Sequence, residues 1–219
     1  MFKNTLIAMT ALLMSSSLLA GTAKLETGGS ITTMEYRGAG LLRMSGQYDG
    51  YMLHRDGKLF MVSGPPGRQM VIDAAAAFKM AGGMMPATGP NPVKLNSFSN
   101  SGRSETVAGI PGEVWDINYQ DEKGNTQQRE LVLSKDSRAR EYSEAMYQMT
   151  RTMFRITGKD PAQAEVLSKE LRDKGLGILR FGSEMKVLDL SGNDVPESRF
   201  ALPSAPMQMP NFGNFQLQR

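Results

Sequence analysis

The side chains able to do chemistry are few. The 219-residue chain holds one histidine, His54, and no cysteine. Thiol nucleophiles, thiolate zinc and cysteine-held iron–sulfur clusters are therefore excluded, and so is a histidine-rich metal site. A Ser-His-Asp relay would have to use His54, which lies inside the apolar run Tyr51-Met52-Leu53-His54 and reads as a structural histidine. Ser183-Glu184-Met185-Lys186 has the spacing at which a lysine activates a serine one helical turn away. That segment reads as strand entry, and no Lys-Thr-Gly or Ser-Asp-Asn accompanies it. Gly38-Ala39-Gly40 is followed by Arg43 where a dinucleotide fingerprint needs glycine, and no Gly-Lys pair stands in a phosphate-loop arrangement. The carboxylates of Asp121-Glu122 read as exposed turn charges. These residues point to a protein that is not an enzyme, with no catalytic residue, metal ligand set or cofactor assigned.

Methionine is the exception to this plainness. There are 17, of which Met1, Met9 and Met14 fall at the N-terminus. Thioether sulfur is a soft donor suited to Cu(I), and Met146, Met149 and Met153 share one helical face, while Met207 and Met209 flank a single residue. The same stripe also fits ordinary core filling, because methionine packs irregular gaps. A third reading joins Met52, Met61 and Leu59 of a hairpin to Met146, Met149 and Met153 as the lining of a pliable cavity for a lipid or acyl chain.

The elements that must position these residues begin after an export signal. Lys3, the apolar run from Leu6 to Leu19 and the small residues Ala20-Gly21-Thr22-Ala23 make up a secretory leader over residues 1–23. Cleavage near Ala23 puts small residues, Gly21 and Ala23, in both peptidase pockets, and sends the chain to the periplasm. Residues 24–203 read as one β-rich domain and 204–219, rich in Pro, Gln and Asn, as a disordered tail that could dock another protein. Without Lys3 the formal charge falls from +3 to +2, and the basic residues are interspersed with acidic ones, so no nucleic-acid footprint is expected. Beyond the leader no apolar segment reaches membrane-spanning length.

The strongest local signal is Tyr51 to Val62, where Asp56-Gly57 supplies the positive-φ pair of a two-residue hairpin. Its register sets Arg55 against Lys58, Leu53 against Phe60, Tyr51 against Val62, His54 against Leu59 and Met52 against Met61, leaving both faces apolar. A second hairpin pairs Glu113 to Tyr119 with Gln128 to Ser134, its Trp115, Ile117 and Tyr119 facing inward. Further strands are expected at Ser30 to Arg37, Ala39 to Ser45, Val93 to Ser99, Ser104 to Ala108, Gly177 to Phe181 and Met185 to Leu190. The periodicity predicts a helix over Arg138 to Ile156 and a second one capped by Asp160, with Pro161 at its first position, ending at Gly175. A shorter helix is expected over Ile72 to Ala81, before a loop from Gly82 to Pro92.

Together the leader, YMLHRDGKLFMV (Tyr51 to Val62), ETVAGIPGEVWDI (Glu105 to Ile117), QRELVLSKD (Gln128 to Asp136) and the closing FALPSA (Phe200 to Ala205) resemble the lipoprotein-localisation (LolA/LolB-like) superfamily. The likeness is nearest to its periplasmic domain-of-unknown-function members. The resemblance implies a curved antiparallel sheet, a half-barrel, packed against two or three α-helices in an α+β fold. It also implies a role in carrying or sensing lipid or lipoprotein acyl chains in an apolar cavity. With no cysteine, the chain differs from the receptor branch, which is acylated at one. The expected function is thus a non-catalytic periplasmic protein that binds a hydrophobic ligand or an envelope protein, with Cu(I) binding or a purely structural role as alternatives.

Overall fold

The computed structural model describes residues 20–46, 49–80, 94–121 and 123–207. In chain order these form β1 (Ala20–Thr27), β2 (Ser30–Arg37), β3 (Leu41–Ser45), β4 (Gly50–Arg55), β5 (Lys58–Ser63), β6 (Met70–Asp73), α1 (Ala74–Met80), β7 (Lys94–Val107), β8 (Ile110–Gln120) and β9 (Thr126–Ser134). They continue with α2 (Ser137–Ile156), α3 (Glu165–Lys174), β10 (Gly177–Phe181) and β11 (Met185–Ser191). The fold class is α+β. Eleven strands make one open antiparallel sheet in the order β6-β5-β4-β3-β2-β1-β11-β10-β9-β8-β7, and three α-helices accompany it.

Local turn chemistry sets most of this order. Asp56 and Gly57 sit at φ 54 and 67, the left-handed pair whose twist suits a two-residue hairpin, and β4 and β5 pair in the expected register. Ala108 and Gly109 make the same kind of turn between β7 and β8. Asp121 Oδ1 accepts from the Lys123 and Asn125 amides and closes the β8–β9 turn. The one long-range pairing that joins the two halves is β1 with β11, which sets Ala23 against Leu190 and Leu25 against Val187.

Several elements differ from the sequence expectation. The residues read as the end of the leader, Ala20 to Ala23, form the first half of β1. The short helix expected over Ile72 to Ala81 is split, with Met70–Asp73 pairing to β5 as a strand and α1 following, because Asp73 Oδ1 caps the Ala75 and Ala76 amides. The segments Val93 to Ser99 and Ser104 to Ala108 are one strand, β7, interrupted by register shifts that absorb the Gly102 turn. A 3-10 turn over Pro161–Ala164, with the Asp160 side chain accepting from the Ala162 amide, precedes α3, so the α-helix starts later than the cap signal suggests. The expected loop from Gly82 to Pro92 lies outside the described residues.

The helix α2 lies on the sheet, touching β1, β3, β5, β10 and β11, so the sheet bends around it. Asp136 Oδ1 accepts from the Arg138 amide at one end, and the Thr157 amide reaches the Met153 carbonyl at the other. Ala139, Tyr142, Ala145, Met149 and Thr152 are buried, and the same helix buries Tyr147 and Phe154 on its other side. Close approach is made possible by Gly177 of β10, where a Cβ would overlap the Ala139 backbone. The Ile178 amide then donates to Ser143 Oγ at 2.9 Å.

Three apolar clusters result. The largest joins α2 to β1–β5, β8–β11 and the β7–β8 turn. A second sits between α3 and β8–β10. The third covers the opposite pleat of β4–β6, where Leu53, Phe60, Val62 and Val71 meet Val195 and Phe200 from the segment after β11. Arg55 Nη1 donates to the Phe200 carbonyl, Arg199 forks onto Glu35, and the Met207 amide donates to the Val71 carbonyl at 2.8 Å. Residues 204–207, expected to open a disordered tail, therefore strap the β6 edge, where free backbone acceptors need donors. The remainder of that expected tail lies outside the described residues. No helix among the described residues is long and apolar enough to cross a membrane.

Candidate functional site

Alternation along a strand puts every second side chain on one face, and the register decides which residues of neighbouring strands stand side by side. Here Ala23 pairs with Met34, Met34 with Met44, Met44 with Met52, Met52 with Met61, and Met61 with Ile72. Four methionines on four consecutive strands thus form one cross-strand row, about 15 Å long at the usual strand spacing. The next row on that face is Tyr36, Leu42, His54 and Leu59.

The helix α2 presents Met146, Met149, Met153 and Ile156 to this face, and all four belong to the cluster that holds Met34, Met44, Met52 and Leu59. Met34, Leu59 and Met149 form its floor, at 0%, 1% and 9% exposure. Met44, Met52, Met61, Met146 and Met153 are half-buried. The structure thus brings Met52, Leu59, Met146, Met149 and Met153 together as the sequence suggested. It corrects the role of Leu59 and Met149, which are packed core residues rather than open lining. Met61 stands in the row between Met52 and Ile72. The residues that sequence reading missed are Met34 and Met44. Their signal was present as alternation in β2 and β3, but only the register across two turns puts them beside Met52.

Polar groups near the row are few and occupied. His54, 3% exposed, holds Nε2 at 3.0 Å from Thr152 Oγ1 of α2, and its Nδ1 faces the Gly40 backbone without a well-formed hydrogen bond. Burial depresses the His54 pKa, Arg155 adds to this, and the Gly40 backbone and Asp56 oppose it. Tyr36 and Tyr142 are pushed well above the usual phenol range by burial. Tyr36 Oη donates to the Arg138 carbonyl and Tyr142 Oη contacts Met185 Sδ at 3.9 Å. The hydroxyl that stands beside a base here, Thr152 Oγ1 against His54 Nε2, is buried together with it. No group of three or more His, Cys, Asp or Glu able to hold a metal occurs among the described residues. Soft, repackable apolar contact is what this surface can offer.

A cleft of about 340 Å³ opens elsewhere, between α2 and α3. It is lined by Arg140, Glu141, Glu144, Tyr147 and Arg172 among others, and none of the methionines borders it. Arg172 lies over the Tyr147 ring and 3.6 Å from Glu144, while Tyr147 Oη donates to Glu165 at 2.5 Å. These partners satisfy one another, and the cleft reads as the seam of the helix pair. Of the other sulfur atoms considered for copper, Met207 is 49% exposed beside β6, and Met209 lies outside the described residues. Comparison with protein-family models, curated proteins and solved structures returns no match for this chain.

Proposed function

We propose that this is a non-catalytic periplasmic protein that holds an apolar ligand, a lipid or acyl chain, against the methionine row between β2–β5 and α2. One observation carries the reading: four methionines aligned on adjacent strands stand on the sheet face that α2 covers with three more, and five of the seven are only half-buried. A packed core with no guest would favour side chains with fixed rotamers, whereas unbranched methionine re-forms contacts around a variable chain at low cost. The export leader and the resemblance to the LolA/LolB-like superfamily support the same reading. An open antiparallel sheet with helices packed on it is compatible with the half-barrel that the resemblance implies.

Native mass spectrometry on the protein exported from its full chain and purified from periplasm tests this. A lipid-sized adduct removed by mild solvent is expected, and it should be lost in both Met52→Asp and Met146→Asp while circular dichroism stays unchanged. A bare mass, or an adduct retained in both folded variants, refutes it. Six of these thioethers, Met34, Met44, Met52, Met146, Met149 and Met153, pack in one cluster and favour a second reading, Cu(I) binding, and a copper adduct that survives solvent extraction selects it instead. An envelope protein co-purifying with a bare, lipid-free chain would assign the row to a partner.

A further inference from the structure

We infer that the leader is cut no further into the chain than the Ala20–Gly21 bond, so that the mature protein keeps Gly21, Thr22 and Ala23. This rests on the export reading, though not on what the methionine row binds. The small residues Ala20-Gly21-Thr22-Ala23 suit a leader peptidase, but the fold demands the same small residues for a different reason. β1 is the sixth of the eleven strands, at the middle of the sheet, and it is paired on both sides. On β2, Ala20, Gly21, Thr22 and Ala23 face Arg37, Tyr36, Glu35 and Met34. On β11, Thr22 and Ala23 face Ser191 and Leu190.

Packing then restricts their size. A Cβ on Gly21 would overlap the Tyr36 phenol and the Ser191 carbonyl, and Ala23 is 0% exposed beside Met34 and Leu190. Ala20 belongs to the cluster under the C-terminal strap and Ala23 to the cluster under α2, so these four residues join both cores. Their smallness is accounted for by close packing, and it no longer argues for a cut after Ala23. A chain starting at Lys24 would lose half of a central strand. Backbone groups of Tyr36, Glu35 and Ser191 would then face a gap, and each buried group left without a partner is costly.

Upstream, the Ser17–Leu18 bond has Ser15 and Ser17 at the two positions that require small residues, whereas the Ala20–Gly21 bond has Ala20 at one and bulky Leu18 at the other. Either cut is a hydrolysis: water adds across the peptide C–N bond, leaving a carboxylate on the leader and an α-amine on Leu18 or Gly21. The first leaves β1 whole, and the second removes only Ala20 and its pairing with Arg37, leaving Gly21 to Thr27 paired.

The intact mass of the protein exported from its full chain reads the cut directly. A first residue anywhere up to Gly21 is expected. A first residue at Thr22 or beyond, Lys24 included, overturns the inference and leaves export standing, whereas a chain retaining Met1 overturns both. Independently, a chain produced to begin at Gly21 should melt at least about 10 °C above one beginning at Lys24. Equal melting would show that the first half of β1 is dispensable and would also overturn the inference.

Discussion

Replacing His54 by Gln isolates the contact that holds α2 to β4 beside the methionine row. His54 is the only histidine of the chain, so any proton uptake by imidazole on unfolding is its own. Buried and neutral against Thr152, it has a folded pKa below the ordinary 6.5, with burial the largest cause. The sign follows from linkage. The unfolded chain binds the proton first as pH falls, so the fold holds its full stability above 6.5 and loses it as pH drops toward the folded value. Between pH 7.5 and 5.5 the loss reaches about 1.4 kcal/mol when the folded pKa lies well below that window. For a domain of this size that is a melting shift of about 3–6 °C. Glu141 works in the opposite sense, because burial raises its pKa and acidification favours its folded form. That contribution is the same in both proteins and cancels in their difference. Urea unfolding at pH 7.5, 6.5 and 5.5 should therefore show wild type falling relative to His54→Gln by up to about 1.4 kcal/mol. Parallel pH profiles, or a wild type that gains on the variant as pH falls, would refute a buried neutral imidazole at this contact.

Two further substitutions test the frame. Gly177→Val places a side chain where the Ala139 backbone already lies, so the variant is expected to lose more than about 3 kcal/mol or fail to fold, read as a collapse of the urea midpoint. Phe200→Ala opens the cover over Leu53, Phe60 and Val62, so it should cost about 3–5 kcal/mol and raise binding of a hydrophobic dye, while a variant that melts like wild type would show the strap to be idle.

How much was legible depended on sequence distance. The β4–β5 hairpin could be read residue by residue because Asp56-Gly57 specifies the turn, and the turn specifies the register. The span of α2 was readable to within a residue from its helical period, and the structure adds the caps Asp136 and Thr157 at its two ends. Met146, Met149 and Met153 could be set on one face by helical period alone. Met34 and Met44 could not be added to them. Their place beside Met52 follows from two pairings in succession, each of which a one-residue slip would have turned outward. The small residues Ala20 to Ala23 fitted a peptidase motif better than any strand pattern, because the bulky neighbours that make them a strand, Tyr36, Met34 and Leu190, come from elsewhere in the chain.

By itself the amino-acid order determined which residue types were present and what each does to its neighbours a few positions away: no thiol, a lone imidazole, the turns, the caps and two apolar faces on one hairpin. Tertiary structure alone decided what lies against those faces, methionines of α2 on one side and Phe200 with Val195 on the other. The physical reason is that a turn or cap is stabilised within its own short segment. A face is satisfied only by whatever surface the whole chain brings to it, and many distant segments are apolar enough to serve.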